Sequence, residues 1–207
     1  MTQCILFDSD GTLVDSEHLC FRAMAELFRP LGATLDPDEL HARFRGWKLD
    51  DTLATLSRSH AVPLPESFVP GYRARVAELF ACELVPVPHV PEVLAALGQA
   101  KAVVSSGPPE KLRQALAVTG LAPHFGENVY SSYDIGLWKP DPAIYRYVAA
   151  HMGYAPEQCA VVEDSEVGVA AAADAGMRTF FLNRMGEPCP REGVIVLESM
   201  AELPRWL

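Results

Sequence analysis

Short apolar runs that stop abruptly at polar residues set the framework of this chain. Cys4-Ile5-Leu6-Phe7 ends at Asp8-Ser9-Asp10-Gly11, the pattern of a buried strand running into a polar loop. The period then changes. Phe21, Met24, Ala25, Leu27 and Phe28 recur at helical spacing from about Glu17, and Gly32 supplies a stop. Asp36-Pro37-Asp38-Glu39 predicts a helix start: a capping aspartate, a proline at the first helical position and acids behind it, with Leu40 and Phe44 on one face. Asp50 is the expected cap of a third helix that turns Leu53 and Leu56 inward. Phe68, Tyr72, Val76, Leu79 and Phe80 predict a fourth, with Pro70-Gly71 as a break near its start. Four helices with no strand between them predict an all-α unit over 16–84.

Beyond Val85-Pro86-Val87-Pro88 the pattern reverts. Ala102-Val103-Val104, Asn128-Val129-Tyr130, Cys159-Ala160-Val161-Val162 and Thr179-Phe180-Phe181-Leu182 are strand-length runs. Helical stretches separate them at about 109–119, 142–152 and 166–175. Strands alternating with helices predict parallel βαβ units in a doubly wound sheet. The expected fold class is α/β: a parallel-sheet core over 1–15 and 85–207, interrupted after its first strand by the four-helix insert at 16–84.

Composition narrows the functional classes. With 207 residues and 49% hydrophobic content, the chain has enough apolar surface for a substantial core. Lys and Arg total 17 and Asp and Glu 27, a formal charge of −10, which speaks against nucleic acid or an anionic membrane as partner. It leaves room for a small anionic substrate, because a metal or a few cations reverse the field locally. The five cysteines, at 4, 20, 82, 159 and 189, are scattered and form no C-x-x-C. They predict buried small hydrophobes in a reducing compartment rather than a disulfide framework or zinc ribbon. The six histidines form no metal or nucleophile pattern. The N-terminal residues lack the basic and long apolar parts of a signal peptide, and no stretch approaches the ~20 apolar residues of a membrane span. A cytoplasmic protein is expected, with a monomer slightly favoured.

In doubly wound sheets, ligands sit outside the carboxyl ends of the strands. That rule selects Asp8 and Asp10 after the first strand, Ser105 and Ser106 after the second, Lys139 in the loop after the third, and Glu163 and Asp164 after the fourth. Each has an ordinary alternative: Asp-Ser-Asp-Gly as a turn, Ser105 and Glu163-Asp164-Ser165 as helix caps, Lys139 as a solvated loop residue. Together they form a carboxylate cluster beside a cation. Packed carboxylates resist ionisation unless a cation is present. An oxygen-only set suits Mg²⁺, which keeps waters and substrate phosphate among its ligands. Mg²⁺, Lys139, the Ser105 hydroxyl and loop N–H groups could then hold a phosphate. An aspartate can act as nucleophile to give an aspartyl-phosphate, and a second, two residues on, can serve as acid and then base.

Phe7-Asp8-Ser9-Asp10-Gly11-Thr12-Leu13-Val14-Asp15-Ser16 resembles the first motif of the haloacid dehalogenase-like (HAD) hydrolases. Val103-Val104-Ser105 resembles their second motif, Lys139-Pro140-Asp141-Pro142 their third and Val162-Glu163-Asp164-Ser165 their fourth. The resemblance implies a Rossmann-like core with a helical cap inserted after the first motif. It implies Asp8 as nucleophile and Asp10 as general acid and base. Mg²⁺ would be held by Asp8, the Asp10 carbonyl and Asp164, with Glu163 as ligand or support, and the phosphoryl group by Ser105 and Lys139. Dehalogenases of the family lack the second aspartate, which is present here. The β-phosphoglucomutase branch carries a cap histidine where this chain has Cys20 and a cap arginine where it has Leu49, so a phosphosugar mutase is the weaker alternative. A catalytically silent binding protein on the same scaffold is a third, which no motif supports. Arg43-Phe44-Arg45-Gly46-Trp47-Lys48-Leu49 and Ser131-Ser132-Tyr133-Asp134-Ile135-Gly136-Leu137-Trp138-Lys139 are similar to a bacterial 6-phosphogluconate phosphatase branch. That likeness implies a small phosphorylated sugar or sugar acid as substrate, with Arg45 and Lys48 as cap residues that grip its carboxylate or hydroxyls. Arg45 and Lys48 as solvated surface cations remain the alternative.

Overall fold

A computed structural model describes residues 1–207, with this order of elements: β1 (Cys4–Phe7), α1 (Glu17–Phe28), α2 (Pro37–Phe44), α3 (Leu49–His60), α4 (Phe68–Glu83), α5 (Val90–Ala96), β2 (Ala100–Ser105), α6 (Pro109–Val118), β3 (Val129–Ser131), α7 (Ser132–Ile135), α8 (Ala143–His151), β4 (Cys159–Glu163), α9 (Glu166–Asp174), β5 (Arg178–Leu182) and β6 (Ile195–Leu197). The chain divides into two compact units, Met1–Asp15 with Val85–Leu207, and Ser16–Leu84.

The first unit is built on a six-stranded sheet of order β3-β2-β1-β4-β5-β6, parallel throughout. All four residues of β1 are fully buried, as befits a central parallel strand covered on both faces. Alternate residues serve opposite faces. Cys4 and Leu6 join Ala102, Val104, Cys159 and Val161 against Ile144, Tyr145 and Val148 of α8 and Ala171 and Ala172 of α9. Phe7, pointing the other way, meets Phe125 edge to face with ring centroids 6.1 Å apart.

Register and strand order together position the site. Phe7 lies level with Val103 on one side and Val162 on the other, so Asp8 leaves β1 beside the ends of β2 and β4. The chain runs from β1 outward through β2 and β3, then crosses back to β4 on the other side of β1. Such a reversal opens a crevice at the carboxyl ends of the strands. Asp8 and the Glu163-Asp164 pair flank it.

The second unit is helical. Phe21, Met24, Ala25 and Phe28 of α1 pack with Leu40, Phe44, Leu53, Leu56 and Phe68 from the other three helices, and Phe28 meets Phe68 at 5.1 Å between centroids. Asp36 caps α2 as expected, its Oδ1 accepting from the Asp38 N–H at 2.9 Å. On its surface Arg22 donates to Glu83 at 2.9 Å, and Arg75 to Glu26 at 2.6 Å and Glu78 at 2.8 Å.

Several sequence expectations are corrected. Lys48, not Asp50, is the N-cap of α3; Asp50 lies in its first turn, where a carboxylate favours the positive helix end. Pro70-Gly71 does not break α4: Pro70 is the third helical residue, where a missing N–H costs no intrahelical bond. Three elements were missed, among them the four-residue α7 (Ser132–Ile135). The seven-residue α5 follows a proline-rich run, and β6 is a three-residue edge strand with only Leu197 buried. Cys4 and Cys159 are buried and face each other across β1 and β4, whereas Cys82 and Cys189 are exposed.

Candidate active site

Asp8, 8% exposed, begins the loop after β1, and its backbone N–H donates to the Val162 carbonyl at 3.0 Å. Asp8 Oδ1 accepts from the ammonium of Lys139, which also contacts Glu163 Oε1 and donates to the Val104 carbonyl at 3.1 Å. Lys139 is itself buried, so its side chain bridges the ends of β1, β2 and β4 from within. Lysine is not tolerated in such a place without paired charge. Although burial opposes its charge, the two carboxylates hold its proton more firmly than usual.

Glu163 closes β4 and is fully buried. Tyr145 of α8 donates its hydroxyl to Glu163 Oε1 at 2.6 Å, and the Ser165 hydroxyl donates to Oε2 at 3.0 Å. Burial, and then the Glu163 charge, push the Tyr145 phenol well above its ordinary range, so it stays a donor. Ser165 also caps α9, accepting from the Gly168 N–H at 3.2 Å. Gly168 is required here: a Cβ on it would lie 2.0 Å from the Glu163 carboxyl carbon. Asp164, also buried, accepts from the Thr12 hydroxyl at 3.2 Å. Gly11 sits at φ +78°, and a Cβ there would fall 2.2 Å from Asp164 Oδ2. Both glycines are cradles for carboxylates.

Oxygens of Asp8, Glu163 and Asp164 lie within 4.8 Å of one another, all three residues buried. Three carboxylates against the single Lys139 ammonium leave two negative charges in excess if all ionise. The consequence falls on Asp8, whose carboxyl is pushed up to about 8, by burial first and by Glu163 and Asp10 next, against the pull of Lys139. A buried, all-oxygen cluster with unbalanced negative charge fits a hard divalent cation.

Asp10 is not part of that cluster by its side chain. Its Oδ1 accepts from the ammonium of Lys111, in the first turn of α6, at 2.7 Å. Ser105 ends β2 almost fully buried, and its Oγ accepts from the Gly107 N–H at 3.0 Å. The Ser131 hydroxyl donates to the Gly107 carbonyl at 2.6 Å, tying this loop to β3. Asp8, Asp10, Ser105, Lys139, Glu163 and Asp164 therefore all lie at the carboxyl edge of one sheet. Arg45 and Lys48 belong to the helical unit, at the C-cap of α2 and the N-cap of α3, on either side of Gly46 and the half-exposed Trp47. Sequence reasoning missed Thr12, Lys111 and Tyr145. Tyr145 gives a weak signal, a phenol in an apolar helical stretch, and Lys111 another, a cation in a helix's first turn.

Residues 2–176 match the haloacid dehalogenase-like hydrolase family. The chain is 36% identical over 205 residues to the 6-phosphogluconate phosphatase of Escherichia coli K12, covering 98% of this chain and 93% of that one. It is 32% identical over 214 residues to the validoxylamine A 7′-phosphate phosphatase of Streptomyces hygroscopicus subsp. limoneus, covering 100% and 97%. Among solved structures, a HAD family hydrolase from Deinococcus radiodurans R1, with bound phosphate and sodium, superposes with a TM-score of 0.78 at 32% identity, covering 98% of this chain and 93% of that one.

Proposed function

This chain belongs to the haloacid dehalogenase-like hydrolases and is a phosphatase, and we propose that it hydrolyses the phosphate ester of a small sugar or sugar acid, with 6-phosphogluconate the first substrate to test. The observation that carries the reading is the buried meeting of Asp8, Lys139, Glu163 and Asp164 at the reversal of the sheet.

In this reading Asp8 attacks phosphorus and becomes an aspartyl-phosphate as the bond to the sugar oxygen breaks. Asp10 gives that oxygen its proton. Asp10 then takes a proton from water, whose oxygen attacks phosphorus and releases phosphate and free Asp8. Ser105 and Lys139 hold the phosphoryl oxygens. Lys139 also favours the ionised Asp8 that attack requires. Residues 1–15 and 85–207 act as the catalytic core and 16–84 as a cap domain.

Mg²⁺ would be held by Asp8, Asp164 and the Asp10 carbonyl, and when bound it supplies positive charge against the phosphoryl oxygens. Glu163 has Lys139 and Tyr145 on one oxygen and Ser165 on the other, which favours it as the residue that fixes Lys139 over direct ligation. Arg45 and Lys48 are assigned to reading the sugar part of the substrate, on their chemistry alone.

The test is a panel of phosphomonoesters that includes 6-phosphogluconate, assayed with Mg²⁺ for both products. Equal release of phosphate and alcohol from sugar or sugar-acid esters is expected. An isomerised phosphosugar would favour the mutase, and folded protein inactive on every ester would contradict the phosphatase reading.

A further inference from the structure

Lys111 stands where helix physics does not favour it. It is the third residue of α6, in the first turn, and the partial positive charge there disfavours a cation. Its side chain reaches away to Asp10, with the ammonium 2.7 Å from Oδ1. Gly107 packs against the pair: a Cβ there would lie at ordinary contact distance, 3.7 Å, from both Lys111 Cδ and Asp10 Oδ2, and 3.3 Å from Ser105 Oγ. The loop that carries Gly107 is fixed at both ends, its N–H on Ser105 and its carbonyl on Ser131. The side chains of the pair are 24% and 28% exposed, so water still screens it and its contribution to stability is small. Stability does not account for a cation at this place.

We propose that Lys111 is a positioning residue for the reaction. It holds one oxygen of Asp10 and thereby sets the direction in which that carboxylate presents and receives its proton. The assignment rests on the reading of Asp10 as general acid and base. Asp10 turned away from the departing oxygen would transfer its proton poorly, while attack by Asp8 would be untouched. The penalty therefore depends on the leaving group. A sugar alkoxide needs the proton as the bond breaks, whereas a nitrophenolate leaves without it.

The test compares kcat/KM, which reports the steps up to alcohol release, for a sugar phosphate and for p-nitrophenyl phosphate. Both are measured with Mg²⁺ on the full chain and on the variants Lys111→Met, Lys111→Gln, Lys111→Arg and Asp10→Asn, each checked for folding by circular dichroism. Asp10→Asn is expected to lose ~100-fold or more on the sugar phosphate and far less on the aryl ester. Lys111→Met and Lys111→Gln should show the same selectivity at about 10-fold on the sugar phosphate, with Lys111→Arg recovering most of it. Equal losses on both esters would mean that Lys111 acts on the phosphoryl group itself, and no loss on either would mean that Asp10 is oriented without it; each overturns the proposal. If Asp10→Asn shows no selective loss, the acid–base reading fails and the role of Lys111 falls with it.

Discussion

In the helical unit Arg22 and Arg75 meet Glu26, Glu78 and Glu83 on the surface, whereas in the sheet unit Asp8, Lys139, Glu163 and Asp164 meet in the interior. Both are charge networks, and both use short contacts. Water shares the first, so the surplus carboxylate there is screened and each pair contributes little. The second bears the full cost of desolvation, with one ammonium, on Asp8 and Glu163, against three buried carboxylates. A fold needing only stability would replace such a cluster with apolar side chains. Gly11 and Gly168, left bare to admit two of the carboxylates, show the fold built around the cluster, as the proposed chemistry requires.

The contrast can be broken at several points. Asp8→Asn removes the proposed nucleophile but leaves its shape, so phosphatase activity should fall ~10⁴-fold or more with the circular dichroism spectrum unchanged. Phe28→Ala in the helical core should do the reverse in kind, costing about 3–5 kcal/mol in chemical denaturation through a cavity rather than a charge. A divalent cation at a hundred times its pH 8 Kd should stabilise the protein by ~2.7 kcal/mol at pH 8, and the same concentration should stabilise it less at pH 5, where its Kd is weaker. Asp8 explains the sign. Its carboxyl rises from 3.8 to about 8 in the folded, metal-free protein, so this contribution to stability is complete below pH 3.8 and is lost as pH rises through 8. Over the same interval the carboxylate that a cation needs is freed. A cation-induced rise in thermal midpoint that does not grow with pH would contradict the charge excess. Gly168→Ala should cost ~1–3 kcal/mol by forcing Glu163 aside, and should reduce activity through Lys139. Arg75→Ala is expected to leave both the midpoint and the activity close to the parent, because its pairs are exposed.

Much of the sheet unit was legible because parallel strands buried on both faces read as unbroken apolar runs; β1 and β4 are the clearest cases. β6 escaped because an edge strand of three residues leaves almost no periodic trace. Asp8, Ser105, Lys139, Glu163 and Asp164 could be found because each stands at or just beyond the end of an apolar run, or in the loop after one, where the fold gathers ligands. The residues that hold them could not. Tyr145 lies 18 positions from Glu163, and Thr12 lies 152 from Asp164, so only the folded chain brings them together. Lys111 was hidden for another reason: an exposed-looking lysine at a helix start carries no sign of the aspartate 101 residues away. Arg45 and Lys48 show the converse, cations conspicuous in sequence whose role the helical unit by itself leaves to kinetics.

The central claim is that Asp8 carries the phosphoryl group between substrate and water. Rapid acid quench during turnover of a sugar phosphate labelled in its phosphoryl group, followed by peptide mapping, tests it directly. Label is expected on the peptide that contains Asp8, appearing before free phosphate and absent in Asp8→Asn. Phosphate released at full rate with no label on the protein at any time would contradict the account.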